Sequence, residues 1–422
     1  MTDERTFVIV GASLTGAKAA EQLRADGFAG RIVLVGSETD RPYERPPLSK
    51  GYLLGKEPRD KAFVHDATWY AEHDVDLVLG VEATAVDPKT HVVTLDNLQP
   101  LHYDKLLLAT GSRVRTLDVP GSENRGIHYL RRMTESETLR AGLREGVQVL
   151  IVGAGWIGLE VAAAAREHGA TVTVVEMDSL PLRRVLGDEV AAFFRDVHAA
   201  HGVTFRFGTG VNEFGGSAGQ VTHAVLSDET EVPADLVVVG VGILPNVELA
   251  QSAGLEVANG VVTDERLRTS DPDVYAAGDV ASFLHPMIRE RIRVEHWANA
   301  LNSGPAAAKS MLGADAPYDR VPYFYSDQYT SAPAIGMEYS GYVPPGGYDR
   351  VVFRGSAAIE SEGSPEFVAF WTNQGRVLAG MNVNVWDVQD DIQALVRAGY
   401  AGTSVDLDRL ADRSVPLGDL LS

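Results

Sequence analysis

The chain has 422 residues, 45% hydrophobic and 23% charged, which is long enough for two or three domains with sizeable cores. Its 58 acidic against 37 basic side chains leave a net charge of −21, which opposes nucleic-acid and anionic-membrane partners. Cysteine is absent, so structural disulfides, thiolate metal sites and a redox-active dithiol are excluded, and any redox chemistry must rest with a bound cofactor.

In chain order, the first element is a β-branched strand that starts at Phe7 and turns on glycine, in Phe7-Val-Ile-Val-Gly-Ala-Ser-Leu-Thr-Gly16. This start leaves no room for a signal peptide. No apolar run approaches the ~20 residues of a membrane span. A cytoplasmic chain is therefore expected. An alanine-rich helix follows over Ala17–Leu23, then a strand over Ile32–Val35 that leads to the acid Glu38. Lys105–Leu108 reads as a closing strand of the same sheet.

The opening then recurs. Val149-Leu-Ile-Val-Gly-Ala-Gly-Trp-Ile-Gly158 leads into a helix over Leu159–Glu167, and a strand over Thr171–Val175 ends at Glu176. Leu236–Val239 closes this second unit. Beyond it, Val274-Tyr-Ala-Ala-Gly-Asp279 precedes a helix over Ala298–Leu312. Strands over Arg350–Phe353, Phe367–Trp371 and Val377–Met381, with a helix around Asp390–Ala398, form an α+β segment at the end.

Dinucleotide binding needs a tight strand-to-helix turn, a backbone open to a pyrophosphate and a helix N-terminus aimed at it. Gly153, Gly155 and Gly158 meet these needs, and the Glu176 carboxylate suits a ribose diol while repelling a 2′-phosphate. NADH is thus expected over NADPH, although Arg183 and Arg184 lie close enough in sequence to reach such a phosphate. In the first loop Gly11 and Gly16 match, but Ser13 stands at the middle glycine position, where its hydroxyl could donate to a phosphate. One such loop is weak evidence. Two, each with its strand, helix and terminal acid, imply that one dinucleotide passes electrons to another.

Further residues carry a family resemblance. The segments Arg45-Pro-Pro-Leu-Ser-Lys50, Tyr129-Leu-Arg131, Gly153–Glu160, Gly240–Asn246, Ala277-Gly-Asp279, Val294-Glu-His-Trp-Ala-Asn-Ala300 and Tyr323-Phe-Tyr-Ser-Asp-Gln-Tyr329 occur in this order over nearly the whole chain. Together they resemble the oxygenase-coupled, FAD-dependent NADH:ferredoxin reductases. The resemblance implies an α/β, glutathione-reductase-like fold with two Rossmann-type nucleotide-binding domains and an α+β C-terminal domain. A split FAD domain would take 1–115 and 247–320, an NAD domain 116–246 and a C-terminal domain 321–422.

The resemblance also implies that Lys50 lies beside the hydride-accepting edge of the flavin and pairs with Glu160. Gly11, Ser13, Thr15, Gly16, Glu38, Arg45, Ala83, Arg131, Asp279 and Trp297 would serve FAD, with Asp279 at a helix start. Gly153, Gly155, Ile157, Gly158, Glu176, Arg184 and Gly242 would serve the nicotinamide cofactor. No metal ligands are expected. Read without the resemblance, Lys50 is an ordinary helix-start lysine, Glu160 a solvated helix carboxylate, Asp279 a helix cap and Trp297 a core residue. His296 receives no role.

The implied activity is hydride transfer from NADH to FAD, then single-electron delivery to an iron–sulfur ferredoxin serving a monooxygenase or a Rieske dioxygenase. Two alternatives on the same fold are a rubredoxin- or monodehydroascorbate-type reductase and a redox-sensing flavoprotein resembling apoptosis-inducing factor. Monomer and homodimer both stay open. Tyr325 stands where such reductases often carry tryptophan, and Thr330-Ser-Ala-Pro333 departs from their pattern, pointing to a remodelled docking rim. For docking an acidic ferredoxin, the alternation in Ile288-Arg-Glu-Arg-Ile-Arg-Val294 predicts a strand with Arg289, Arg291 and Arg293 on one face.

Overall fold

The computed structural model describes residues 3–344, 346–359 and 363–421, which group into two compact units, each built from separate stretches of chain. The first unit takes the residues through Glu44, then Arg59–Arg113 and Leu244–Pro322. At its centre is a five-stranded parallel sheet in the order Val274–Ala276, Lys105–Leu108, Thr6–Val10, Arg31–Gly36, Val75–Leu79. Its three inner strands carry continuous apolar runs, as a sheet covered on both faces requires. Phe7, Val8 and Ile9 are fully buried, as are Ile32, Val33 and Leu34.

One face of this sheet carries the helix Leu14–Ala25, against which the helix Trp297–Met311 packs. Gly304 allows the close crossing: a Cβ there would meet the Thr15 carbonyl oxygen at 2.2 Å. The first helix extends its expected span at both ends, and the second is shifted by one residue toward the N-terminus.

The second unit takes Arg45–Pro58, Val114–Ile243 and the chain from Tyr323 onward. It repeats the parallel theme in the order Thr204–Phe207, Thr171–Glu176, Gln148–Val152, Leu236–Val239, Ile127–His128. It then adds a five-stranded antiparallel sheet, Tyr323–Gln328, Ile335–Gly341, Arg376–Val383, Phe367–Asn373, Arg350–Gly355, with the helix Gln389–Tyr400 against it. One apolar core runs through both sheets, joining Ile151, Leu159 and Phe194 to Phe324, Trp371 and Met381. The fully buried Trp371 also donates its indole N–H to the Leu186 carbonyl at 3.0 Å.

Three expectations need correction. The stretch Arg45–Pro58, placed by sequence within the first nucleotide domain, packs with the second unit because fully buried Leu53 joins the core that holds Leu139 and Leu159. Asp279 does not begin a helix. Gly278–Val280 is a single 3-10 turn that runs into the strand Ala281–Leu284.

The third correction concerns Ile288–Val294, which is not one strand. Only Arg291–Ile292 is extended, and Arg289 has φ +61°. His285 is the cause: its ring Nδ1 accepts the amides of Met287 (3.2 Å) and Ile288 (3.3 Å), and its carbonyl accepts that of Arg289 at 2.7 Å. These bonds fold a hairpin turn where alternation suggested a strand. Arg291 then donates to the backbone carbonyls of Thr263 (2.8 Å) and Ser282, while Arg293 pairs with Glu295. Two of the three arginines are therefore committed within their own unit.

Candidate functional site

In the first unit, Thr6–Val10 ends at Gly11, whose φ of +125° is reserved for glycine and whose added Cβ would lie 2.0 Å from the Ala109 carbonyl oxygen. Gly16 is equally constrained, because a Cβ would meet the Gly11 carbonyl oxygen at 2.1 Å. Ser13 caps the helix Leu14–Ala25 in extended conformation with no side-chain cap bond, and the first turn carries no acidic residue. The N-terminal amides and the positive end of the helix dipole are thus left for an anion.

Around this loop the unit gathers other expected residues. Gly278 crosses Thr15 so closely that a Cβ would meet its Oγ1 at 2.6 Å, which holds buried Asp279 beside the loop. Glu38, beyond the second strand, accepts from the Tyr43 hydroxyl at 2.6 Å. Ala83 is buried at the start of the strand Ala83–Asp87. Trp297 opens its helix and donates its indole N–H to Glu44 at 3.0 Å, while burial pushes the Glu44 carboxyl above its ordinary pKa. Burial drives the neighbouring His296 imidazole the other way, down to about 4.

In the second unit the three loop glycines divide by cause. Gly153 (φ +102°) would place a Cβ 2.4 Å from the Gly240 carbonyl oxygen, and Gly158 would place one 2.1 Å from the Gly153 carbonyl oxygen. Both are demanded by the chain itself. Gly155 is not: it has φ −79°, and a Cβ there meets nothing within 4 Å. The open space above Gly155 fits a ligand that approaches the backbone, as a pyrophosphate does.

Gly153→Ala should therefore lower the thermal midpoint, whereas Gly155→Ala should leave the melt near wild type and weaken the nicotinamide cofactor roughly tenfold, as a lost close backbone contact to phosphate would. Calorimetry of both variants, with and without NAD, checks the division. A Gly155→Ala variant that binds NAD as well as wild type would refute it.

Glu176 ends the strand Thr171–Glu176 and accepts the amides of Ala154 and Asp178, each at 2.8 Å. Two amides occupy about half of the ~4 lone-pair sites of a carboxylate, which leaves acceptors for a diol. Ile157 is 45% exposed at the helix start, and Gly242 (φ +101°) has open space above it. Arg183 is held by Asp178 and Asp188 at 3.1 and 2.5 Å. Arg184 reaches Asp178 at 3.5 Å, and its side chain is 82% exposed.

The same unit holds the two expected catalytic residues together. Lys50 directly follows the 3-10 turn Pro46–Ser49, and its ammonium lies 2.7 Å from Glu160 Oε1. Glu160 sits in the first turns of the helix Trp156–Glu167 and is only 4% exposed. Ser49 and Ser326 also donate to this carboxylate, at 2.5 and 2.7 Å. The Tyr325 ring lies 5.5 Å from the Lys50 ammonium, within cation–π range. Arg45 donates to the Arg131 carbonyl, and the Arg131 amide bonds Glu135 at 2.7 Å.

The serines escaped the sequence reading as functional groups, although both stand inside quoted segments: Ser49 precedes Lys50, and Ser326 lies in Ser326-Asp-Gln328. The cluster continues through Gln328, in the same segment, to His198, with His198 Nε2 2.7 Å from Gln328 Oε1. His198 lies on the helix Arg183–Ala200, which carries no motif, and nothing in its sequence surroundings marks it.

Comparison with known proteins agrees with this architecture. Residues 5–304 match the family model described as pyridine nucleotide-disulphide oxidoreductase, and residues 323–421 match that described as reductase C-terminal. The chain is 40% identical over 416 residues to the ferredoxin–NAD(+) reductase component of an anthranilate 1,2-dioxygenase system from Burkholderia cepacia, covering 98% of this chain and 99% of that one. It is 37% identical over 428 residues to putidaredoxin reductase of Pseudomonas putida, covering 100% and 98%. A crystal structure of a covalent putidaredoxin reductase–putidaredoxin complex superposes with a TM-score of 0.91 at 37% identity, over 99% of this chain and 98% of that one.

Proposed function

The chain belongs to the pyridine nucleotide-disulphide oxidoreductases that carry the reductase C-terminal domain, and we propose that it is an FAD-dependent NADH:ferredoxin reductase of an oxygenase system. The observation that carries this reading is the pair of dinucleotide cradles, each with a terminal acid, in a chain without a single cysteine. Despite the family's name, no dithiol is available here to receive electrons from a flavin. A one-electron protein acceptor suits what remains, and a ferredoxin–NAD(+) reductase component and putidaredoxin reductase are relatives over nearly the full length.

Bound FAD would supply the conversion of a two-electron hydride into single electrons. The first glycine loop, with Ser13, Thr15, Glu38 and Asp279, would hold it, assisted by Ala83, Trp297, Arg45 and Arg131. The second loop, with Ile157, Glu176, Arg184 and Gly242, would hold NADH. Lys50 would serve the hydride-accepting edge of the ring by placing a fixed positive charge there, with Glu160 holding the ammonium in position. The first unit, including 1–44 and 247–320, is read as the FAD domain, 116–246 as the NAD domain and 321–422 as the C-terminal domain. A cytoplasmic location follows from the use of NADH as donor.

The deciding assay is NADH-dependent reduction of ferredoxins encoded near this gene. Turnover with at least one ferredoxin, and flavin bleaching faster than that turnover, is the expected result. Slow bleaching with a long-lived charge-transfer band and no ferredoxin turnover would instead favour a redox sensor.

A further inference from the structure

Behind the Lys50–Glu160 pair lies a line of buried polar groups that no step above uses: Ser326, Gln328, His198 and Tyr329, exposed by 1%, 2%, 0% and 8%. They form an unbroken chain. Ser326 Oγ lies 2.7 Å from Glu160 Oε1, Gln328 Nε2 lies 3.1 Å from Ser326 Oγ, His198 Nε2 lies 2.7 Å from Gln328 Oε1, and Tyr329 Oη lies 2.7 Å from His198 Nδ1.

The direction of every bond in this chain is fixed from one end. A carboxylate paired with an ammonium can only accept, so Ser326 must donate its one proton to Glu160. Its oxygen then accepts from the Gln328 amide group, which turns the Gln328 carbonyl toward His198. His198 must therefore carry its proton on Nε2. A neutral imidazole so protonated has a bare Nδ1, and the Tyr329 hydroxyl must donate to it. Burial favours this neutral form, pushing the His198 imidazole down to about 4. All four donors thus point the same way, and bonds polarised in one direction strengthen one another.

We propose that Tyr329, His198, Gln328 and Ser326 act as positioning residues, a one-way hydrogen-bond chain that presents an aligned dipole to Glu160 and thereby fixes where Lys50 holds its charge. Tyr329 supports the same direction from the far end: by donating to Nδ1 it favours the Nε2–H tautomer, and without it the reversed chain, in which Ser326 withholds its proton from the carboxylate, loses one of the two groups that oppose it. The inference rests on the proposed role of Lys50 and Glu160 at the flavin.

The test uses the FAD-loaded protein. Imidazole nitrogen-15 shifts, assigned with His198→Gln, should show His198 as the Nε2–H tautomer in wild type and as a mixture in Tyr329→Phe. The flavin midpoint potential should fall in Ser326→Ala and, by less, in Tyr329→Phe. The rate of flavin reduction at saturating NADH should fall roughly tenfold in Ser326→Ala, which removes a hydrogen bond to a charged group, and roughly threefold in Tyr329→Phe, which acts from a distance. Ser326→Ala should add little further loss on a Glu160→Gln background.

An Nδ1–H tautomer in wild type overturns the chain whatever the variants do. So does a Tyr329→Phe protein with unchanged tautomer, potential and rate. If Glu160→Gln itself changes neither potential nor rate, the flavin-side reading of Lys50 and Glu160 fails instead.

Discussion

Lys50→Met should bind FAD, lower the flavin midpoint potential and slow its reduction by NADH about a hundredfold. Two effects combine. The ammonium is the only cation bonded to a carboxylate that is 4% exposed among the described residues, and taking one partner from a buried pair costs about 3–5 kcal/mol, because the other charge stays behind unpaired. The rate falls for a second reason. A reduced flavin gains negative charge, and a preorganised positive group within a water-poor site is worth more there than in solvent.

The two effects can be separated. In Lys50→Met combined with Glu160→Gln, no charge is left buried, so the thermal midpoint should recover toward wild type. The potential should not recover, because the positive charge is still missing. A redox titration of Lys50→Met that matches wild type would reduce Lys50 to a structural residue, as would a double variant that regains both quantities.

The parts of this site that were legible in the sequence are those made by short-range geometry. Strand, glycine turn, helix and acid follow one another within thirty or so residues, so Gly11 to Glu38 and Gly153 to Glu176 could be read directly. Even there, sequence could not divide the glycines by cause. Gly153 and Gly155 look alike in a motif, yet a Cβ added at the first would come within 2.4 Å of the Gly240 carbonyl oxygen, while one added at the second meets nothing within 4 Å. The same distinction explains how the first loop accommodates Ser13: it occupies the position corresponding to Gly155, where the backbone places no demand for glycine.

The misread parts depend on contacts that are distant in sequence or supplied by one side chain. Within the alternation over 288–294, the apolar Ile288, Ile292 and Val294 are buried. The pattern could not show that the ring of His285 would gather the next amides into a turn. Arg45–Pro58 follows the first βαβ unit in sequence but belongs with the second in space, through Leu53 and the Lys50–Glu160 pair. The polar chain from Glu160 to Tyr329 joins a loop, a strand and two helices, and none of its serine, glutamine or histidine members stands out where chain neighbours alone are read.

Cofactor preference is expected to follow Glu176 by a comparable factor, with the specificity constant for NADH about a hundredfold above that for NADPH. This carboxylate is anchored by two amides of its own unit, so it cannot easily turn away from an approaching phosphate. Two unit charges ~4 Å apart repel by about 4 kcal/mol at an effective dielectric of ~20. At a half-buried rim, salt and solvent reduce this to about 3 kcal/mol, or roughly a hundredfold. The neighbouring arginines do not offset it equally. Arg183 is clamped between Asp178 and Asp188, while Arg184 is largely exposed and lies 3.5 Å from Asp178. Glu176→Gln keeps the shape and one acceptor but removes the charge, so it should narrow the preference to about tenfold or less. Adding Arg184→Ala to that variant should lower NADPH use again if Arg184 then turns onto the 2′-phosphate. Equal specificity constants for the two cofactors in wild type would remove Glu176 as the selector.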